Sequence, residues 1–374
     1  DWPSRVALTI DAAAIDSTLT DFPVYVDLAD MPDAFWSEAR SDCGDLRVVA
    51  SDETTELPRE LVSCDSGANT GELHFKADSI SATTDTTFYL YYGNSSAADY
   101  ANAATYGAEN VWTNDYILVL HNGDGVDSSP NRYDFVATGD AGETSAGRHG
   151  AAMTFDGTGD YFERTTLPAF GGLTEYTISA WSYLNTLGTS NAGDGGIFTY
   201  DQGGTFHSLL WVNYNAGGSA GDVAYTLNSG ETSEANDRVN GATTPAVSTW
   251  HHVTGRRQGA TRELYYNGVS DGVQSSGATA AESTGEAARI GAWAVFSEFD
   301  FDGRIDEVRI ASTSRSDAWI SAEYTNQSTT TDFYSVGEVW NSTDWPSRVA
   351  LTIDAAAIDS TLTDFPVYVD LADM

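Results

Sequence analysis

The sequence predicts an all-β protein, two antiparallel β-sandwiches that together form the unit of a tandem repeat. Three observations carry this reading. Apolar and aromatic residues alternate with polar ones in short runs, and the runs are separated by Asp, Ser, Thr, Gly and Asn, the residues of turns. An Ala-rich stretch at 98–110 divides a small set of strands from a much longer, Trp- and Tyr-rich set. Asp344–Met374, DWPSRVALTIDAAAIDSTLTDFPVYVDLADM, repeats Asp1–Met31 letter for letter at an offset of 344 − 1 = 343 residues. Chance does not produce such a copy and divergence does not preserve one, so an array with that period is expected. The expected boundaries are 1–97 for a small sandwich, 98–110 for a connector and 111–340 for a large sandwich. A linker at 341–343 then leads to the start of the next unit at 344–374.

In the first domain, Val6, Leu8 and Ile10 share one strand face, as do Phe22, Val24, Val26 and Leu28. Runs at 46–50, 57–62, 71–76 and 87–92 continue the pattern, with a helical turn at 32–39 where Phe35 and Trp36 cap the core. These segments (FPVYVDL, FW, CGDLRVV, ELPRELV and FYLYYGN) resemble a family of unknown function that often precedes a laminin-G-like domain in prokaryotic surface proteins. The resemblance spans about residues 2–97. It implies location and architecture, and no reaction.

The second domain carries Ile117–Gly123, Asp127–Asn131, Ala151–Gly157, Tyr176–Trp181, Trp250–Thr254, Glu263–Val269, Arg289–Gly291 and Phe301–Ile310. In this order they resemble the laminin-G-like branch of the concanavalin A-like lectin and glucanase superfamily, which implies a jelly roll of two large sheets. Asn267-Gly268 predicts a type I′ hairpin, which needs positive φ at both positions. Gly-rich stretches such as 188–196 and 217–221 read as loops. Ser316 is placed to cap a helix with Trp319, Ile320 and Tyr324 inward, and a last strand is expected at 333–340.

Acidic residues number 55 against 17 basic, a net charge of −38, and Lys76 is the single lysine. Nucleic-acid binding is disfavoured, because phosphate contact needs clustered basic surface. Two readings of the charge stand together: a surface adapted to high salt, and carboxylates that hold divalent cations. No apolar run is long enough for a transmembrane helix. Without an initiating Met or a signal peptide, the chain reads as a segment of something longer. Cys43 and Cys64 are expected to form a disulfide contributing ~3 kcal/mol in an oxidising, extracellular compartment, with two buried free thiols as the alternative. Sequons at Asn94, Asn326 and Asn341 fit a glycosylated surface protein.

The superfamily resemblance implies a calcium position on the convex side of the sandwich. There the last core strand would supply Asp306, the N-terminal loop Asp124, Asp127 and Asn131, and the Phe-Asp-Gly turn Asp156. These hard oxygens suit Ca2+; the alternative is that Asp156 and Asp306 cap turns. Glu298, Asp300 and Asp302 have the period-two spacing of a glucanase motif. They run straight into the Gly303–Ile310 strand instead of sitting mid-domain, so solvated loop carboxylates are the expected reading and catalysis is not. His251 and His252 fall on opposite faces of a strand, one expected in the core and one exposed. Trp211, Tyr214, Trp293 and Phe296 are candidate sugar-stacking aromatics.

The expected function is therefore a structural repeat in an extracellular filament or cell-surface stalk, with copies of itself as head-to-tail partners. A carbohydrate-binding adhesin module, with glycans as partners, is the alternative.

Overall fold

The computed structural model describes residues 2–187, 195–201, 208–213, 224–228, 237–275, 277, 279–293 and 300–341. The small domain contributes β1 (Ser4–Ile10), β2 (Leu19–Asp27), β3 (Arg47–Val49), β4 (Glu56–Leu57), β5 (Arg59–Asp65), β6 (Thr70–Ile80) and β7 (Thr86–Tyr92). The predicted helical turn is α1 (Asp33–Glu38), which drives Phe35 fully into the core against Tyr92.

The large domain begins with β8 (Tyr116–Leu120), β9 (Val136–Thr138), β10 (Gly142–Thr144), β11 (Ala152–Asp156), β12 (Tyr161–Arg164) and β13 (Glu175–Leu184). It continues with β14 (Gly196–Asp201), β15 (Ser208–Asn213), β16 (Ala224–Asn228), β17 (Arg238–Asn240) and β18 (Trp250–Gln258). It ends with β19 (Thr261–Tyr266), β20 (Val269–Gln274), β21 (Ala287–Ile290), β22 (Asp302–Ala311) and α2 (Asp317–Ser328). One sheet runs β10-β11-β22-β13-β18-β19-β20 with β8 also on β22, and the facing sheet runs β17-β16-β15-β14-β21-β12-β9. Every pairing is antiparallel and the core lies between the sheets, as the jelly-roll expectation required. Asn267 and Gly268 both take positive φ, and the β19–β20 hairpin forms there.

The final strand corrects the expected division of the chain. β23 (Tyr334–Asn341) does not end the large sandwich; it joins the small one, in a sheet ordered β23-β1-β7-β3-β4 opposite β2-β6-β5. Its register on β1 pairs Ser4 with Asn341, Val6 with Val339, Leu8 with Val336 and Ile10 with Tyr334. The reason is apolar. Phe333 and Tyr334 are buried, and Val336 and Val339 pack on the cluster that contains Val6, Leu8 and Ile10.

Helix α2 serves both domains. Ser316 caps it as predicted, with Oγ accepting the Trp319 N–H. Trp319 packs edge-on against Phe22 of β2, ring centroids 4.9 Å apart. The other face buries polar side chains: Glu323, Asn326 and Gln327. Tyr324, expected inward, is half-buried over Gly268, where an added Cβ would strike its side chain at 2.9 Å. The connector is bound to the small sandwich: Arg47 donates to the Ala98 carbonyl, and Arg59 pairs with Asp99 at 2.7 Å.

Candidate functional site

The five expected calcium ligands separate into three places. Asp127 accepts the N–H groups of Val119, Ser129 and Tyr133 at 2.7–3.0 Å, and the Ser129 hydroxyl as well. Asn131 donates to the Tyr116 and Ile117 carbonyls, and Asp124 accepts the Val126 N–H. These three side chains tie the loop after β8 back onto its own strand. Asp306 accepts from Arg148, His149 and Glu307 backbone N–H groups. Burial pushes its carboxyl up to about 8. Asp156 pairs in register with Asp302, four residues before Asp306 on the same strand and so roughly 13 Å from it. Its companions are Asp140 and Asp160, whose carboxylate oxygens lie with its own within 4.8 Å of one another.

The other anticipated residues serve the fold. Asp300 accepts the Gly159 N–H, Asp302 holds Asn185 and Thr186, and Glu298 lies outside the described residues. His251 and His252 are both buried, contrary to the expected in-and-out pair, because Tyr266 covers one while Trp181 and Tyr324 cover the other. Trp211 and Trp293 pack on each other and are only 6% and 5% exposed; Tyr214 and Phe296 lie outside the described residues. Cys43 and Cys64 form the predicted disulfide. Asn326 is not an acceptor for sugar in the folded chain, since its amide bonds both the N–H and the C=O of Tyr25. Asn94 caps its own turn at Ser96, and Asn341 donates to Ser4 and Glu38.

A cluster that the sequence reading missed lies where the two sandwiches meet. Glu72 and His74 stand two apart on β6, so one strand face presents both. Leu73 and Phe75 alternate with them into the small core. His121 follows β8, and Glu307 comes from β22. Glu307 has a φ of +51° at a point where the β22–β13 register shifts. Ile305, Val308 and Ile310 all face the large core. The extra residue between 305 and 308 is a bulge that turns both Asp306 and Glu307 toward the junction.

The side chains converge closely. His74 Nε2 is 3.0 Å from Glu72 Oε1. His121 Nδ1 is 2.5 Å from Glu307 Oε1 and 3.8 Å from Glu72 Oε1. The two imidazoles stack with centroids 4.9 Å apart, and the Trp112 indole lies 5.4 Å from each. Glu60 accepts from Trp112 and Ser128 and stands 3.6 Å from His121 Nε2. Arg309 pairs with Glu307 at 2.6 Å and Glu323 at 3.4 Å. Glu72, His74, His121, Glu307 and Arg309 are each at most 3% exposed.

The electrostatics follow from burial. Desolvation drives the Glu72 carboxyl well above its ordinary range and the His74 imidazole well below. For His121 burial acts downward, but Glu307 and Glu60 outweigh it and hold the ring as an imidazolium. For Glu307 burial acts upward, and His121 and Arg309 outweigh it and keep the carboxylate ionised.

A cleft opens on each side of this cluster. One, about 490 Å³, is walled by Tyr25, Asp27, Glu72, Arg148, His149 and Gln327. The other, about 200 Å³, is walled by Arg59, Glu60, Asp99, Tyr100, His121 and Asn122. The signal present in the sequence was the pairing of a strand-borne Glu-x-His with apolar residues on the intervening positions. A strand buried on both faces with ionisable groups on one of them has to pair those groups elsewhere.

Comparison with known proteins agrees with the order of the motifs. The model of the Domain of unknown function (DUF2341) matches residues 42–108. The laminin-G model of the concanavalin A-like lectin/glucanases superfamily matches residues 156–321. No curated protein matches the chain. Among solved structures, domain 4 of AbnA, a GH43 extracellular arabinanase from Geobacillus stearothermophilus in complex with arabinotriose, is similar at 17% identity and a TM-score of 0.43. That match covers 55% of this chain and 97% of that one. The binding domain of Paraclostridial Mosquitocidal Protein 1 is similar at 12% identity and a TM-score of 0.40, covering 56% of this chain and 52% of that one. The SAP-like pentraxin from Limulus polyphemus is similar at 16% identity and a TM-score of 0.36, covering 45% and 78%. Residues 42–108 thus match the model of that domain of unknown function, and residues 156–321 the laminin-G model of the concanavalin A-like lectin/glucanases superfamily, in that order along one chain.

Proposed function

We propose that residues 2–341 form one closed unit of a repetitive extracellular or cell-surface structural protein. The observation that carries this reading is the pairing of Ser4 with Asn341, taken with the exact copy of residues 1–31 at 344–374. β1 begins where β23 ends, so the chain comes into the unit and leaves it at one pole. Successive units would then attach side by side at a common connector, a different arrangement from the head-to-tail stacking expected from the sequence. The Cys43–Cys64 bridge is compatible with an oxidising compartment. No helix among the described residues is long and apolar enough to cross a membrane.

The test is the coding sequence beyond Met374. Continuation as Pro-Asp-Ala-Phe-Trp, the residues that follow Met31, is expected; any other continuation sinks the repeat. Imaging of a two-unit chain should show beads joined at one pole.

The second reading is a carbohydrate-binding module, supported by the lectin superfamily that residues 156–321 match. Burial of Trp211 and Trp293 removes them as a stacking platform, so sugar contact would fall to other residues. Glycan-array binding by the full chain tests it; a blank array across mono- and oligosaccharides rejects it.

A further inference from the structure

We propose that Glu72, His74, His121 and Glu307 bind one divalent transition-metal ion of the Zn2+ class, which pins the small sandwich to the large one. The reading is independent of the repeat.

The donors are already assembled. Glu72 Oε1, His74 Nε2, His121 Nδ1 and Glu307 Oε1 all lie within 4.8 Å of one another. Metal bonds of 2.0–2.1 Å place tetrahedral donors roughly 3.3 Å apart. Three of the six separations, 2.5, 3.0 and 3.8 Å, bracket that value, and the other three are no longer than 4.8 Å, so side-chain shifts on the order of an ångström would close the sphere. Two imidazole nitrogens with two carboxylate oxygens suit a borderline cation, whereas Ca2+ and Mg2+ select all-oxygen shells.

Two further observations point to a ligand. Glu72 Oε2, the second oxygen of a donor carboxylate, is buried without a hydrogen-bond partner, which is costly in a site of this depth and leaves that oxygen open to ligation as well. The charge is also unbalanced. Glu60, Glu72, Asp306, Glu307 and Glu323 are five buried carboxyls, and the Arg309 guanidinium and the His121 imidazolium that face them are fewer. A divalent cation offsets that excess directly. Glu60 stands 3.6 Å behind His121 Nε2, in the position of a carboxylate that orients a ligating imidazole through its far nitrogen. Trp112 and Ser128 hold Glu60 there.

The four donors span the junction, two on β6 of the small sandwich and two from the large one. Binding would therefore couple the two halves, and metal should raise the stability of both together.

The experiment uses the full chain, stripped with a chelator and titrated with Co2+ and then Zn2+. Expected are one Co2+ per chain with visible tetrahedral absorption bands, displacement of those bands by Zn2+, and a saturable rise in Tm with Zn2+. Glu72→Gln, close in shape to the native residue, should weaken binding at least roughly tenfold, as loss of a ligand does. Asp140→Asn with Asp160→Asn, in the separate Asp140–Asp156–Asp160 group, should leave it unchanged. Should Glu72→Gln fail to fold, the native chain still decides the matter. A Tm indifferent to chelator and Zn2+, with no Co2+ bands, overturns the proposal and leaves the cluster as an ion-pair network. Binding that survives in Glu72→Gln but disappears in the Asp140/Asp160 double variant overturns it as well.

Discussion

Ser4 and Asn341, 337 residues apart, face each other across an antiparallel strand pair, and the Asn341 side chain donates to Ser4 Oγ at 3.0 Å. The last strand of the chain therefore completes the sheet that the first strand begins. Removing residues 334–341 should expose the β1 edge and the part of the small core that Tyr334, Val336 and Val339 complete. Hydrogen exchange is expected to lose protection at Val6–Ile10 while β13 and β22 stay protected. The milder Phe333→Ala should cost about 3–5 kcal/mol, as expected for a buried phenylalanine. Unchanged β1 protection in the truncated chain would refute the closure.

Asn326 predicts a second, sharper effect. Its amide pairs with the Tyr25 backbone at 2.7 and 2.9 Å, joining α2 to β2 in a place with no access for water. Asn326→Ala leaves a buried N–H and C=O of Tyr25 unsatisfied, which should cost about 2–4 kcal/mol in chemical denaturation. Asn326→Asp should be worse, because the carboxylate cannot donate to the Tyr25 carbonyl. Mass spectrometry of glycosylated material should find Asn326 unmodified.

The strands, the Asn267-Gly268 hairpin, the Ser316 cap and the disulfide were legible because each rests on local chemistry: alternation, positive φ, a side-chain acceptor, two cysteines in one domain. What failed was long-range. Phe333–Asn341 reads as a strand wherever it pairs, and nothing nearby in sequence says that its partner is Ser4–Ile10. Asn326-Gln-Ser328 matches a sequon, yet the triplet carries no information on burial. Asp127 and Asp306 looked like hard ligands, but their oxygens are taken by backbone N–H groups that only the folded loops bring close. The junction cluster was hidden for the same reason. Its Glu72, His121 and Glu307 are far apart in sequence, and the bulge that aims Glu307 depends on the register of β22 against β13.

The net charge of −38 predicts a strong response to salt. Exposed like charges repel over a Debye length of about 10 Å at 0.1 M salt, shrinking to about 3 Å at 1 M. Thermal midpoints should therefore rise steadily from 0.05 to 1 M NaCl. Because Asp124, Asp127 and Asp306 already accept backbone N–H groups, Asp156→Asn is expected to leave that rise intact. A saturable stabilisation by millimolar Ca2+ that Asp156→Asn removes would instead identify a specific calcium site.

His252 predicts how stability depends on pH. Burial, then the nearby Arg309, pushes its imidazole down to about 3. Its ring lies against Trp181 and Tyr324 with Nδ1 lacking a partner. In the unfolded chain the same ring takes a proton near pH 6.5. Between those values the unfolded state binds more protons than the folded state, so stability falls as the pH falls. The contribution is fully present above about pH 6.5 and is lost progressively toward pH 3, at up to about 1.4 kcal/mol per pH unit. Acidification also neutralises surface carboxylates and relieves their repulsion, which acts in the opposite direction and must be separated out. Comparison with His252→Phe in 1 M NaCl does this, since the variant keeps the surface and loses the titrating ring. From pH 7 to 4.5 the native chain should lose roughly 2–3 kcal/mol more than the variant, measured by denaturant titration at each pH. Parallel pH profiles for the two chains would show that His252 takes its proton in the folded state as readily as in the unfolded one.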